Sequence, residues 1–202
     1  MILPIDSGWY EAVTRFAAGT GWLQTPMVLF TTYGIVGLAA LMVIAWWIAR
    51  DRDDATMAVA LTAPLATAVA FGVDNVLKLV AAEPRPCQVI QGVSTVLPCD
   101  PPGDYSMPSN HAAIGAAVAV GVLLVHRALG VLAVVAAVVM AASRVYVGAH
   151  YPHDVLLGLL VGGSVAAVLC LTAQSRLAPL VGKLRRGPLR PLLSTGTPVS
   201  LS

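Results

Sequence analysis

Charge is scarce in this sequence. Of its 202 residues, 11% are Asp, Glu, Lys or Arg and 57% are hydrophobic, and the mean hydropathy is +0.81. A chain this oily is not a soluble domain. The net charge is only +2 and aromatics make up 6%, so nothing suggests a nucleic-acid partner. The first residues, Met1 to Ser7, lack a basic stretch followed by an apolar run and a small-residue cleavage site, so they do not read as a cleaved signal peptide. No repeat or low-complexity segment stands out.

Long apolar runs are what the sequence does have. They cover residues 23–49, 55–82, 108–125, 128–147 and 154–173, separated by polar breaks. A bilayer core needs about 20 helical residues to cross, and within hydrocarbon the backbone must satisfy its own hydrogen bonds, which here demands helices. The expected fold is all-α: a polytopic membrane helical bundle of about five transmembrane helices. Three regions follow. Residues 1–22 are an amino-terminal interfacial segment, in which Trp9, Val13 and Phe16 share a helical face, with disorder as the open alternative. Residues 23–176 are the membrane domain. Residues 177–202 are a basic, disordered tail. Arg50, Arg52, Arg127, Arg176, Lys183, Arg185, Arg186 and Arg190 fall on one side of this layout, and Arg15, Lys78, Arg85 and Arg144 on the other. Positive charge favours the cytoplasmic side, so the amino terminus and the polar segments 83–107 and 143–154 are expected outside.

Three polar stretches then share that outer face. The first is Lys78 to Pro86. Lys78 ends a span, with Asp74 one helical turn before it as an expected ion-pair partner. Arg85 follows between Pro84 and Pro86. The second is Pro108-Ser109-Asn110-His111 at the start of an apolar helix, where Ser109 or Asn110 suits an N-cap. The free amides there suit a phosphate, and His111 is placed to donate a proton to a leaving oxygen. The third is Ser143 to Asp154. His150 and Asp154 are four residues apart, so the carboxylate can hold one imidazole nitrogen and leave the other free to attack. Arg144 offers a planar fork of donors to phosphate oxygens. Taken singly, each stretch is an ordinary helix cap or a snorkelling cation. Together they place three cations, two histidines and a carboxylate at span ends on one face.

In their order and spacing these residues resemble the three-part signature of the type 2 phosphatidic acid phosphatase superfamily. Lys78 is followed by six residues and then Arg85-Pro86, then come Pro108-Ser109-Asn110-His111, then Ser143-Arg144 with five residues before His150 and three more before Asp154. Asn110 departs from the usual glycine of the second motif. The short layout, Glu83-Pro84-Arg85-Pro86 and His150-Tyr151-Pro152 look most like bacterial undecaprenyl-diphosphate phosphatases of the bacitracin-resistance type. The resemblance implies His150 as the nucleophile that forms a phosphohistidine, Asp154 as its orienting partner and His111 as the general acid. It implies Lys78, Arg85, Ser109, Asn110 and Arg144 as the cradle for phosphoryl oxygens. It also implies a lipid phosphate as substrate, a site on the outer face of the bacterial cytoplasmic membrane, and no metal or other cofactor. Three cations already supply the neutralisation that a metal would give. Cys87 and Cys99 lie in the outer loop, where an oxidising compartment permits a disulfide. Cys170 lies in the last span and reads as packing. His153, beside Asp154, matches no motif position and receives no role. The signature does not separate polyprenyl diphosphates from phosphatidylglycerol phosphate, phosphatidic acid or decaprenylphosphoryl-phosphoribose, nor does it fix the oligomeric state.

Overall fold

The computed structural model describes residues 6–195 and is all-helical. The ends of the expected interfacial segment (1–5) and tail (196–202) lie outside the described residues. Among the described residues nine helices follow in order: α1 (Ser7–Gly19), α2 (Gly21–Ala49), α3 (Asp54–Ala81), α4 (Pro86–Val89), α5 (Asn110–Val125), α6 (Arg127–Tyr146), α7 (Pro152–Arg176), α8 (Ala178–Leu184) and α9 (Arg190–Leu193). Four of them, α2, α3, α6 and α7, are long and apolar enough to cross a membrane, and α5 is a shorter apolar helix.

Local chemistry sets the helix ends. Asp53 caps α3 by accepting the Thr56 N–H at 2.7 Å. Ala82 takes a left-handed conformation, φ 47°, and returns its N–H to the Lys78 carbonyl, which closes the helix just before Glu83-Pro84. Pro152 opens α7 at a position where its missing N–H costs nothing.

Packing is inverted relative to a soluble protein. The core is built largely of small residues, among them Ala63, Ala66, Ala70, Ala113, Ala117, Ala133, Ala137 and Ala166. Large apolar side chains face outward, with Trp22 77% exposed and Val80 79% exposed. In water such a surface would aggregate; in lipid it is the solvated face, and small residues let the helices approach. α5 sits at the centre, packed by α3, α6, α7 and α2. α7 meets it through Gly158 and Gly162. A Cβ on Gly158 would lie 2.5 Å from the Ser109 carbonyl oxygen and 3.0 Å from Ala112 Cβ, and one on Gly162 would run into the Ala113 backbone. This approach lets the Ser109 N–H donate to the Asp154 carbonyl at 3.1 Å, which ties the start of α5 to the first turn of α7.

The tail departs from the disorder expected of it. Residues 178–184 and 190–193 are helical, and Val181 and Leu193 are buried. Arg185 explains the order. Its guanidinium donates to the Ala49 carbonyl at the end of α2, the Arg52 carbonyl, the Asp54 carboxylate and the Leu193 carbonyl. Helix ends leave carbonyls without partners, and one arginine fork serves this one; composition alone did not reveal the match.

Valine in place of Gly158 or Gly162 is expected to push α5 from α7, because the obstructing atoms are backbone. The cost is at least the roughly 1–3 kcal/mol of an overpacked core, read as a lowered melting temperature in detergent. Gly37, with open space around it, is the control: Gly37→Ala should melt as the parent protein does.

Candidate active site

The site forms where the 147–151 connection, the 82–109 loop and the ends of α3, α5, α6 and α7 converge. Gly148 turns the connection with φ 87°, and a Cβ there would strike the Thr95 side chain. Tyr10 of α1 donates its hydroxyl to the Gly148 carbonyl at 3.0 Å. Thr20 and Tyr146 are joined by a hydroxyl pair at 2.8 Å. The amino-terminal helix is therefore fastened to the start of this turn.

His150 is 2% exposed and Asp154 is fully buried. Asp154 Oδ2 accepts the Tyr151 N–H at 2.8 Å and the Ser106 hydroxyl, and it faces His150 Nδ1 at 3.3 Å. Arg85 Nη1 approaches His150 Nε2 at 3.1 Å. A guanidinium only donates, so Nε2 carries the lone pair and Nδ1 carries the proton directed at Asp154. Burial lowers the His150 pKa from 6.5 to about 3; the Asp154 hydrogen bond opposes this, and Arg85 and Arg144 add to it. The ring is neutral at ordinary pH, as a nitrogen nucleophile must be.

Arg85 is held on every side. Nε donates to the Asp104 carbonyl and Nη1 to the Ala149 carbonyl at 2.9 Å. Nη2 pairs with Asp104 at 3.0 Å and Asp100 at 3.2 Å. These carboxylate oxygens engage the fork as phosphoryl oxygens would. Arg144, 9% exposed, donates to the Thr31 hydroxyl at 3.1 Å. The N-cap of α5 is Ser109. Ser109 Oγ and Arg144 Nε are buried without a hydrogen-bond partner in the protein, and both are donors an anion would satisfy. Asn110 donates to the Asn75 side chain at 3.1 Å. His111, in the first turn of α5, lies in the field of Arg144, Lys78 and Arg85. The structure thus brings Lys78, Arg85, Ser109, His111, Arg144, His150 and Asp154 to one end of the bundle.

The expected Asp74–Lys78 ion pair does not form. Both Asp74 oxygens are buried without a partner, and the charges around Lys78 are Arg85, Asp104 and Asp154 as well as Asp74. The lysine belongs to the site's charge set, not to a pair on its own helix. Cys87 and Cys99 are joined, with their Cα atoms 5.9 Å apart, and Cys170 is free and buried. The bond ties Cys99, the residue before Asp100, to Cys87 in α4.

Several contributors were not legible in the sequence. Ser106, Asp100 and Asp104 lie in a loop whose path no periodicity dictates. His153 proves to be a hub: Asp6, Glu83 and Asp154 all reach it within 3.2 Å. Among the described residues, Glu83, His153 and Asp154 also form the cluster with ligand atoms close enough to share a metal ion. The tandem of two histidines around one turn, His150 and His153, was the available signal.

Helical bundle and site together define a multi-pass membrane protein carrying a histidine–carboxylate pair set among cations at one end. The chain belongs to the PAP2 superfamily, whose description it matches over residues 59–177. It is 29% identical over 172 residues to undecaprenyl-diphosphatase BcrC of Bacillus subtilis, covering 85% of this chain and 86% of that one. It is 35% identical over 112 residues to an undecaprenyl-diphosphatase of Sulfolobus acidocaldarius, covering 55% of this chain and 53% of that one. A decaprenylphosphoryl-5-phosphoribose phosphatase of Mycobacterium tuberculosis is 44% identical over 71 residues, 35% of this chain and 38% of that one. No solved structure matches the chain significantly.

The buried neutral imidazole has a consequence for stability. Its pKa falls from 6.5 to about 3 on folding, so the unfolded chain takes up a proton that the folded one refuses. Stability is complete above pH 6.5 and declines as pH falls toward 3. Melting temperatures in detergent between pH 7 and pH 4 should drop more steeply for the parent protein than for His150→Gln. Parallel curves would show that the ring is not held neutral.

Proposed function

We propose that this protein is a membrane lipid phosphatase that removes the terminal phosphate of a polyprenyl diphosphate through a phosphohistidine on His150. The observation that carries this reading is the state of His150: Nδ1 is directed at a buried carboxylate and the Nε2 lone pair faces an arginine fork. The names of the relatives matched along most of the chain support the diphosphate lipid as substrate. The short match to a decaprenylphosphoryl-5-phosphoribose phosphatase supports a polyprenyl monophosphate-type ester as the second reading.

In the proposed reaction Nε2 attacks phosphorus as the phosphoryl group takes over the donors of Arg85. The bond from phosphorus to the leaving oxygen breaks, and His111 supplies a proton to that oxygen. A water, losing its proton to His111, then breaks the P–N bond and releases inorganic phosphate. Asp154 keeps His150 in the reactive tautomer and, as an anion, stabilises the positive charge that develops on the ring. Lys78, Arg85, Arg144 and the Ser109–Asn110 helix start hold the phosphoryl oxygens.

We place α5 as a fifth spanning element. Its 16 residues reach about 24 Å at 1.5 Å per residue, short of a roughly 30 Å hydrocarbon core, and its neighbours shield both ends. The cation distribution supports the site end of the bundle facing outward, with the Arg185 end in the cytoplasm. Residues 1–22 are then the interfacial segment, 23–176 the catalytic membrane domain and 177–202 a cytoplasmic tail.

Purified protein in detergent should release phosphate from undecaprenyl diphosphate, and His150→Ala should abolish release. Vanadate should inhibit, and EDTA should have no effect. Release that survives His150→Ala and needs a divalent ion would overturn the assignment. His111→Ala should cost about 10²- to 10⁴-fold with the lipid substrate and much less with a nitrophenyl phosphate, whose leaving group needs no proton.

A further inference from the structure

The family signature leaves His153 without a task, yet no side chain at the site has more acidic neighbours. Its backbone N–H donates to Asp6 Oδ2 at 2.7 Å and its Nδ1 meets Asp6 Oδ1 at 2.9 Å. Its Nε2 meets Glu83 Oε2 at 3.1 Å and lies 3.2 Å from Asp154 Oδ1. Tyr151 stacks on the ring, with centroids 5.4 Å apart and planes 15° apart, and Tyr10 of α1 packs on Tyr151. Both nitrogens face carboxylate oxygens, so the ring that fits carries two N–H groups.

The two oxygens of Asp154 are treated differently. Oδ2 serves Ser106, Tyr151 and His150. Oδ1 is buried with no hydrogen bond of its own, and His153 is the cation within reach of it. A buried carboxylate with one uncompensated oxygen costs several kcal/mol or changes its protonation. Either outcome would loosen its hold on His150.

We infer that His153 is a positioning residue: anchored by Asp6 of the amino-terminal segment and by Glu83, it fixes the far oxygen of Asp154 and through it the orientation of His150. It links α1, the loop after α3 and the catalytic turn in one network. The sequence separations explain why spacing does not reveal it: Asp6 and His153 are 147 residues apart, and Glu83 and His153 are 70 apart.

The inference rests on the phosphohistidine reading, and the test separates the two. Steady-state kinetics on undecaprenyl diphosphate would compare the parent protein, His153→Ala, Asp154→Asn, the double variant and His150→Ala. His153→Ala should lower kcat about tenfold or more with KM within about twofold, since it touches no substrate atom. In the Asp154→Asn background the same substitution should cost almost nothing, because its route to His150 is already cut. Equal losses in both backgrounds, or a change confined to KM, would overturn the role. If His153→Ala does not fold, Asp6→Asn and Glu83→Gln test the same ring from outside. Each should lower kcat severalfold with KM unchanged, and normal kcat in both would sink the inference. An active His150→Ala would instead refute the underlying mechanism, whatever His153 does.

Discussion

One buried carboxylate organises the catalytic end of this molecule. Asp154 has no contact with solvent, and an ionised group there is tolerable only if its oxygens are engaged. Oδ2 collects the Tyr151 amide, the Ser106 hydroxyl and the His150 ring, while Oδ1 faces His153. Its backbone carbonyl receives the Ser109 amide. Satisfying this single residue therefore fixes the first turn of α7, the 147–151 turn, the end of the 82–109 loop and the start of α5. The proposed nucleophile, His150, and the helix start proposed to cradle phosphate are aligned by the same group.

That arrangement needs the helices close together, and lipid offers no hydrophobic drive toward closeness. Glycine and alanine supply it instead. Gly158 and Gly162 bring the α7 backbone against α5, and without that approach the Ser109 amide could not reach α7. Specificity of helix packing and precision of the site are thus the same physical fact. At the opposite end, Arg185 plays the corresponding part by gathering the end of α2, the start of α3 and the tail.

Electrostatics at the site is divided between groups that wait and groups that are already engaged. Arg85 is saturated by Asp100, Asp104 and the Ala149 carbonyl, so in the proposed reaction it would have to exchange partners for the phosphoryl oxygens. Ser109 Oγ and Arg144 Nε hold unspent donor capacity. Under that proposal, the resident carboxylates keep the cations from repelling one another while the site is empty, at some expense in affinity for an incoming phosphate.

The sequence alone determined the helical membrane class, the approximate limits of the apolar runs and the motif residues from Lys78 to Asp154. These follow from hydropathy over about 20 residues and from short-range spacing, which are local properties. It also carried the His150–Asp154 relation, because four residues across a helix start bring two side chains together whatever the rest of the chain does. Only the tertiary structure decided that Lys78 leaves Asp74 unpaired, that Arg85 is clamped by Asp100 and Asp104, that Arg185 orders the tail, and that Asp6, Glu83 and His153 stand behind Asp154. The last three join segments separated in the chain through loops without periodicity, and in the first the lysine turns from its helical neighbour toward such a loop; in each the partner is chosen by packing, and packing is not written in any single window of the sequence.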